Sequence, residues 1–139
     1  MASFNKFNHF ALHLGSGEHK LQAAGDTLKI YLTNNTPDAD ADVVKTDLAG
    51  ITEQNGYAVA DIQNDYTEAA GVGTLTGVDV TFTASGGSFG PFRYVVLYNS
   101  DPTTLTDPLI GWWDYGASIT VLTGETFKAD FGASILTIT

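Results

Sequence analysis

The segment Phe92–Tyr98, F-R-Y-V-V-L-Y, limits the fold more than any other part of the chain. Apart from Arg93, its side chains are aromatic, aliphatic or β-branched, and these fit a pleated strand. Near-continuous apolarity means that both faces are covered, so the run is expected to be a central strand. It sits within Ser85–Gly116, where glycine, proline and aspartate punctuate the chain. A dense aromatic group follows in the same stretch: Trp112, Trp113 and Tyr115.

Alternation marks the other strands. Thr27–Thr33 sets Leu28, Ile30 and Leu32 against Lys29 and Tyr31. Gly77–Ala84 sets Val78, Val80, Phe82 and Ala84 against Asp79, Thr81 and Thr83. Thr126–Phe131 turns Phe127, Ala129 and Phe131 inward. Tyr57–Gln63, Ser118–Leu122 and Ser134–Thr139 also read as strands. Phe4–Leu14 reads as a first strand, with Phe10, Leu12 and Leu14 on one side and a break at Gly15-Ser16-Gly17. An extended N-terminal arm over residues 1–10, packed on a neighbouring subunit, is its alternative. Asn64–Gly77 reads as a long polar connection ending in a short edge strand. The one helix is expected at 38–49, from the spacing of Val44 and Leu48, the early aspartates and Gly50 beyond the end.

Roughly eight short strands separated by turn residues predict an all-β fold. An antiparallel β-sandwich of jelly-roll type is the first expectation, and an immunoglobulin-like sandwich the second. The expected core is Leu28, Ile30, Leu32, Val78, Val80, Phe82, Tyr94, Val96, Ile119, Val121, Phe127, Phe131 and Leu136.

With 139 residues, the chain is expected to form a single domain over 1–139. That length buries enough surface to need no disulfide or metal. Cysteine is absent, which removes disulfides, zinc-thiolate sites and thiol catalysis. Sixteen acidic and six basic residues give a net charge of -10, so neither nucleic acid nor an anionic membrane is an expected partner. Asn5, Asn8, His9 and His13 interrupt the N-terminal apolar residues, and no run approaches the ~20 apolar residues of a membrane-spanning helix. A soluble protein made in the cytoplasm is expected.

The residues offer little chemistry. On a strand, His9 and His13 would stand about 13 Å apart, too far to share one metal ion. Asp38, Asp40 and Asp42 resemble the start of a calcium loop, but Val43 and Ala49 occupy the positions where an EF-hand needs Gly and Glu. A solvated acidic helix start explains them better, with a looser calcium site built from loop oxygens as the alternative. The glycine-rich G-V-G-T-L-T-G and S-G-G-S-F-G lack the Lys-Ser/Thr of a phosphate loop. Asp114 and Glu125 are a carboxylate pair that nothing selects from sixteen acids. Catalytic, metal and cofactor residues are therefore expected to be none. Arg93, in the most apolar run, must pair or reach water. Asp114, Asp101, Asp107 and a neighbouring subunit are its candidate partners. Trp113 and Tyr115 share one strand face, and Trp112 and Asp114 the other. One face lies in the core; the other is half exposed or covered by a partner.

The runs G-G-S-F-G-P-F-R-Y-V-V-L-Y-N, D-P-L-I-G-W-W-D-Y-G and G-E-T-F-K-A-D-F resemble a family of small proteins encoded among the virion genes of tailed bacteriophages. F-N-K-F, D-T-L-K-I-Y-L-T-N-N-T-P and N-G-Y extend the resemblance from about Phe4 to Thr139. Phe89–Gly116 is its most specific part, and Gln63–Thr76 departs from it. The resemblance implies a non-enzymatic virion structural protein, a capsid decoration or cement protein. Such a protein binds the major capsid protein on the outer surface of the shell and associates with itself, with a trimer favoured. Its expected interface residues are Trp112, Trp113, Tyr115, Arg93, Phe4 and Phe7. A tail or host-adhesion component that binds surface glycans through exposed aromatics is the alternative.

Overall fold

A computed structural model describes residues 2–139. In chain order the elements are β1 (Phe4–Lys6), α1 (Asn8–Gly15), β2 (Leu28–Thr33), a 3-10 turn (Lys45–Asp47), β3 (Ala60–Asp61), β4 (Asp65–Ala69), β5 (Val72–Thr76), β6 (Val80–Thr83), β7 (Phe89–Asn99), β8 (Leu109–Val121), β9 (Thr126–Ala129) and β10 (Leu136–Ile138). Three antiparallel sheets form, in the orders β1-β8-β7-β2-β3, β10-β5-β4 and β6-β9. The protein is all-β and sandwich-like, with one short α-helix.

The Phe92–Tyr98 run lies in β7, at the centre of the five-stranded sheet. Both faces of that sheet are covered. Val95 and Leu97 join a large cluster with Leu28, Ile30 and Leu32 of β2, Phe82 of β6, Leu75 of β5 and Phe127 of β9. The two smaller sheets thus pack on this face. Val96 and Tyr98 point the other way, into a second cluster with Phe7, Tyr31, Leu48 and Leu109. Full burial of each such side chain contributes roughly 1.5–3 kcal/mol. Continuous apolarity in β7 therefore reflects two distinct cores on its two sides.

The helix lies at α1 and not at 38–49. In 38–49 the aspartates bond backbone amides locally. The Asp38 carboxylate accepts from the Asp40 and Ala41 amides at 3.0 Å, Asp42 from Asp38 at 2.8 Å, and Asp47 from Val43 and Val44 at 3.0 Å. Such side-chain acceptors compete with helical hydrogen bonding and leave turns. Their backbone bonds hold Asp38 and Asp47 below the usual carboxylate range.

At the N-terminus, Phe7, Phe10 and Leu14 recur at helical spacing and turn toward the protein, while Leu12, part of the expected alternation, is 64% exposed. Residues 2–10 are no extended arm: β1 pairs with β8, and Phe7 and Phe10 are buried within their own chain. Met1 lies outside the described residues.

Other boundaries also move. Asp65–Thr76 is a hairpin of β4 and β5, not a connection. Tyr57–Gln63 contributes only the two-residue β3. Ser118–Leu122 continues β8 rather than forming a separate strand. Val78 is 55% exposed, not core, whereas Phe82, Val121, Phe127 and Phe131 are buried as expected.

Candidate docking face

The aromatic residues expected at an interface are brought together by β1 and β8. Phe4 pairs with Trp113 and Asn5 with Trp112 in an antiparallel register. The Phe4 and Trp113 rings meet edge to face at 5.1 Å, and Phe7 lies 4.6 Å from Trp112. The two tryptophans do point to opposite faces. Trp113 is buried in the large cluster, and Trp112 is half-buried against the second. Tyr115 is half-buried, 5.1 Å from Phe127. Burial raises its pKa above the usual phenol range, against the opposing hydrogen bond that its oxygen accepts from the Asp130 amide. The N-terminal segment of the same chain therefore covers both indoles.

Glycine at position 111 makes this closure possible. A Cβ there would fall within the Phe4 ring. The G-W-W sequence thus combines a gap for Phe4 with the two rings that Phe4 and Phe7 cover.

Arg93 forms a bidentate pair with Asp114, with Nε at 2.8 Å from Oδ1 and Nη2 at 3.0 Å from Oδ2. The guanidinium also lies 5.4 Å from the Tyr94 ring centroid. The pair reaches water, as its side chains are 40% and 37% exposed. Asp114 additionally accepts from the Gly116 amide at 2.8 Å, where the β7–β8 register shifts between Phe92 and Tyr94. The Arg93 hydrogen bonds, then that amide, hold Asp114 below the usual carboxylate range, and Asp114 raises Arg93. Arg93 and Asp114 thus fix an irregular bend in β8. Glu125 is committed elsewhere, accepting from the Leu122 amide at 2.9 Å in its own turn.

The surface nearest these rings carries an open groove of about 400 Å³. Phe4 and Lys6 of β1 and Phe10, Ala11 and Leu14 of α1 form one wall. Leu136, Thr137 and Ile138 of β10 form the other. β1 ends the five-stranded sheet and β10 ends the three-stranded sheet, so among the described residues each has one edge without a strand partner. Ile138 is 37% exposed at its rim. Apolar lining between two open strand edges suits an added extended segment, which would gain main-chain hydrogen bonds and side-chain pockets together.

Comparison with known families, curated proteins and solved structures finds no match. The groove is therefore interpreted from its own geometry. Of this lining, Phe4 is legible in the sequence, whereas Phe10, Leu14, Leu136 and Ile138 are not. The period-three and period-four spacing from Phe7 to Leu14 was the available signal. The meeting of the chain's two ends had none.

The helical spacing of α1 also builds a second cluster. His9, His13 and His19 stand side by side, with ring centroids 5.9 Å apart for His9 and His13 and 6.3 Å for His13 and His19. Among the described residues, no three His, Cys, Asp or Glu side chains converge as a metal-binding group.

Proposed function

We propose that this protein is a structural component of a tailed-bacteriophage virion, a capsid decoration or cement protein that binds the major capsid protein on the outer shell. The carrying observation is the apolar groove between β1–α1 and β10, bounded by two open strand edges. An extended segment of the shell protein is its occupant in this reading. The resemblance of Phe89–Gly116 to phage virion proteins supplies the biological setting.

The reading assigns the protein no chemical step and no cofactor. Its work is docking: a partner that binds only the assembled form stabilises that form by mass action. Self-association, as a trimer, uses surfaces other than the Trp113 indole, which is buried under Phe4. The glycan-binding alternative retains the half-buried Trp112 and Tyr115 as stacking surfaces.

Copy number in gradient-purified particles tests the proposal, with head and tail fractions separated. A decoration protein should occur in the head fraction at a copy number comparable to the major shell protein. A few copies confined to the tail fraction would overturn it and favour the adhesion reading. The variant Ile138→Asp, at the groove's exposed rim, should lower occupancy on the shell while leaving the free protein folded.

A further inference from the structure

We propose that His13 and His19, with His9 beside them, form an acid-operated latch, holding α1 and the 16–26 loop against the end of β7 while the His13 and His19 imidazoles are neutral and releasing both when these two take up protons.

The cluster is built from two segments. His9 and His13 stand one helical turn apart on α1, and His19 follows in the loop, its ring 5.1 Å from Phe10. His13 and His19 are more than nine-tenths buried, at 7% and 6% exposure. Nδ1 of His9, Nδ1 of His13 and Nε2 of His19 are buried without a hydrogen-bond partner among the described residues. Three such atoms in one place are unusual, because buried polar groups are normally paired.

Asn99, fully buried at the end of β7, fixes the tautomer of His19. Its amide oxygen accepts from the Asp101 amide at 2.8 Å, so its Nδ2 is the group facing the loop. Nδ2 lies 3.1 Å from His19 Nδ1, 2.8 Å from Asp26 Oδ2 and 3.3 Å from the Glu18 carbonyl oxygen. An amide nitrogen only donates, so His19 Nδ1 accepts and the ring proton sits on Nε2. Adding a proton at Nδ1 sets donor against donor and breaks this contact. It also places positive charge beside neighbouring imidazoles in a site with little water.

Carboxylates surround the cluster. Glu18 and Asp26 face it from the loop. Asp40 lines a cavity with His9 and bonds Asn8 at 3.4 Å. Glu18 is occupied in tying the loop to Thr104 and Leu105, whose amides donate to it at 2.8 Å. Burial, and then the His13 charge, outweigh the attraction of Asp26 and Glu18 and push His19 down to about 4. Burial and His9 likewise lower His13 against the pull of Glu18. The open form binds protons more tightly than the closed form. Opening therefore grows as pH falls from about 6.5 toward 4, by up to about tenfold per pH unit for each proton taken up.

α1 supplies Phe10, Ala11 and Leu14 to the groove, so on the docking reading above the latch regulates shell binding. The latch itself is a property of the free chain and is tested there. Hydrogen exchange of the full-length protein, corrected for the intrinsic pH dependence of the rates, should show at least tenfold loss of protection over residues 8–26 between pH 6.5 and 5. Amides of β7 and β8 should keep theirs. Long-range proton–nitrogen spectra should show His19 neutral at pH 7 with its proton on Nε2. His19→Gln, which cannot take up that proton, should flatten the pH response. If that variant does not fold, the imidazole spectra of the unaltered protein still decide. Titration of His19 near 6.5 without change over 8–26, or a uniform loss across every strand, would overturn the latch. Failure to bind shells at pH 7 with the latch response intact would count against the docking reading alone.

Discussion

Single residues in this protein supply bonds that regular pairing leaves unmade. β3 is only two residues long and pairs Ala60 and Asp61 with Ile30 and Lys29, so the edge of β2 beyond Ile30 has no strand beside it. Tyr57 fills part of that gap, its hydroxyl accepting from the Leu32 amide at 2.9 Å. The Ile51 amide completes the edge by donating to the Leu32 carbonyl at 2.9 Å. Tyr57 is itself buried, between Phe82 and Phe89, and that burial pushes its hydroxyl up to about 12. Tyr57→Phe keeps the ring packing and removes only the acceptor. The buried Leu32 N–H is then left unpaired, which costs about 1–3 kcal/mol. Urea unfolding should show that loss as a lower midpoint with an unchanged slope. An unchanged midpoint would mean that water reaches the Leu32 amide.

Elements were legible in the sequence where one side was dry and the other wet. β6 and β9 have such contrast, and their alternation located them; β2 alternates in sequence although both its faces are covered. β7 announced itself by lacking contrast, since two cores cover it. The β4–β5 hairpin did not, because β4 is wet on both sides: Asp65, Thr67, Glu68 and Ala69 are exposed and only Tyr66 is half-buried. Its turn was hidden as well. Ala70 and Gly71 both adopt positive φ, at 52° and 84°, a geometry for which Asn-Gly is the usual sequence. The α1 and 38–49 assignments changed places for local reasons. Phe10, Leu12 and Leu14 mimic a strand if the phenylalanine at position 7 is ignored, and aspartates that resemble a helix start instead bond their own turns. The groove between β1–α1 and β10 was the least legible feature, because β1 and β10 approach only through three-dimensional closure. The hairpin turn yields a direct test. Ala70 pays the steric cost of a left-handed conformation that glycine adopts freely. Ala70→Gly should therefore stabilise the protein by roughly 0.5 kcal/mol, net of the added freedom of the unfolded chain. A rise in the thermal midpoint, with amide exchange slowed across β4 and β5, would check it.

At the scale of the whole molecule, two effects of acid oppose each other. A net charge of -10 repels itself, so lowering the pH toward the sequence pI of 4.3 removes repulsion and favours the folded state. The buried histidines act in the other direction. His13 and His19 are held below the ordinary histidine range by burial, so the unfolded chain binds their protons first. Their stabilisation is complete above pH 6.5 and is lost as pH falls toward the folded value of about 4 for His19. One such group weakens folding by up to about 1.4 kcal/mol per pH unit in that window. Exposed charges more than about 8 Å apart are largely screened at physiological salt, whereas the buried cluster is not. The histidines should therefore win, and the thermal midpoint should fall between pH 6.5 and 4.5 at 0.15 M salt. Below that, Asp114, Asp47 and Asp38, all held under the usual carboxylate range, lose their stabilising bonds on protonation and steepen the decline. At the alkaline end the sign reverses. Burial raises Tyr57 and Tyr98 to about 12, so their stabilisation holds below pH 10 and is lost above it. Calorimetry from pH 3.5 to 11 should trace a plateau between about 6.5 and 10 with a fall on each side. A midpoint that instead rises steadily from pH 7 to 4.5 would show that surface repulsion governs the acid limb, and that His13 and His19 are not buried as neutral rings.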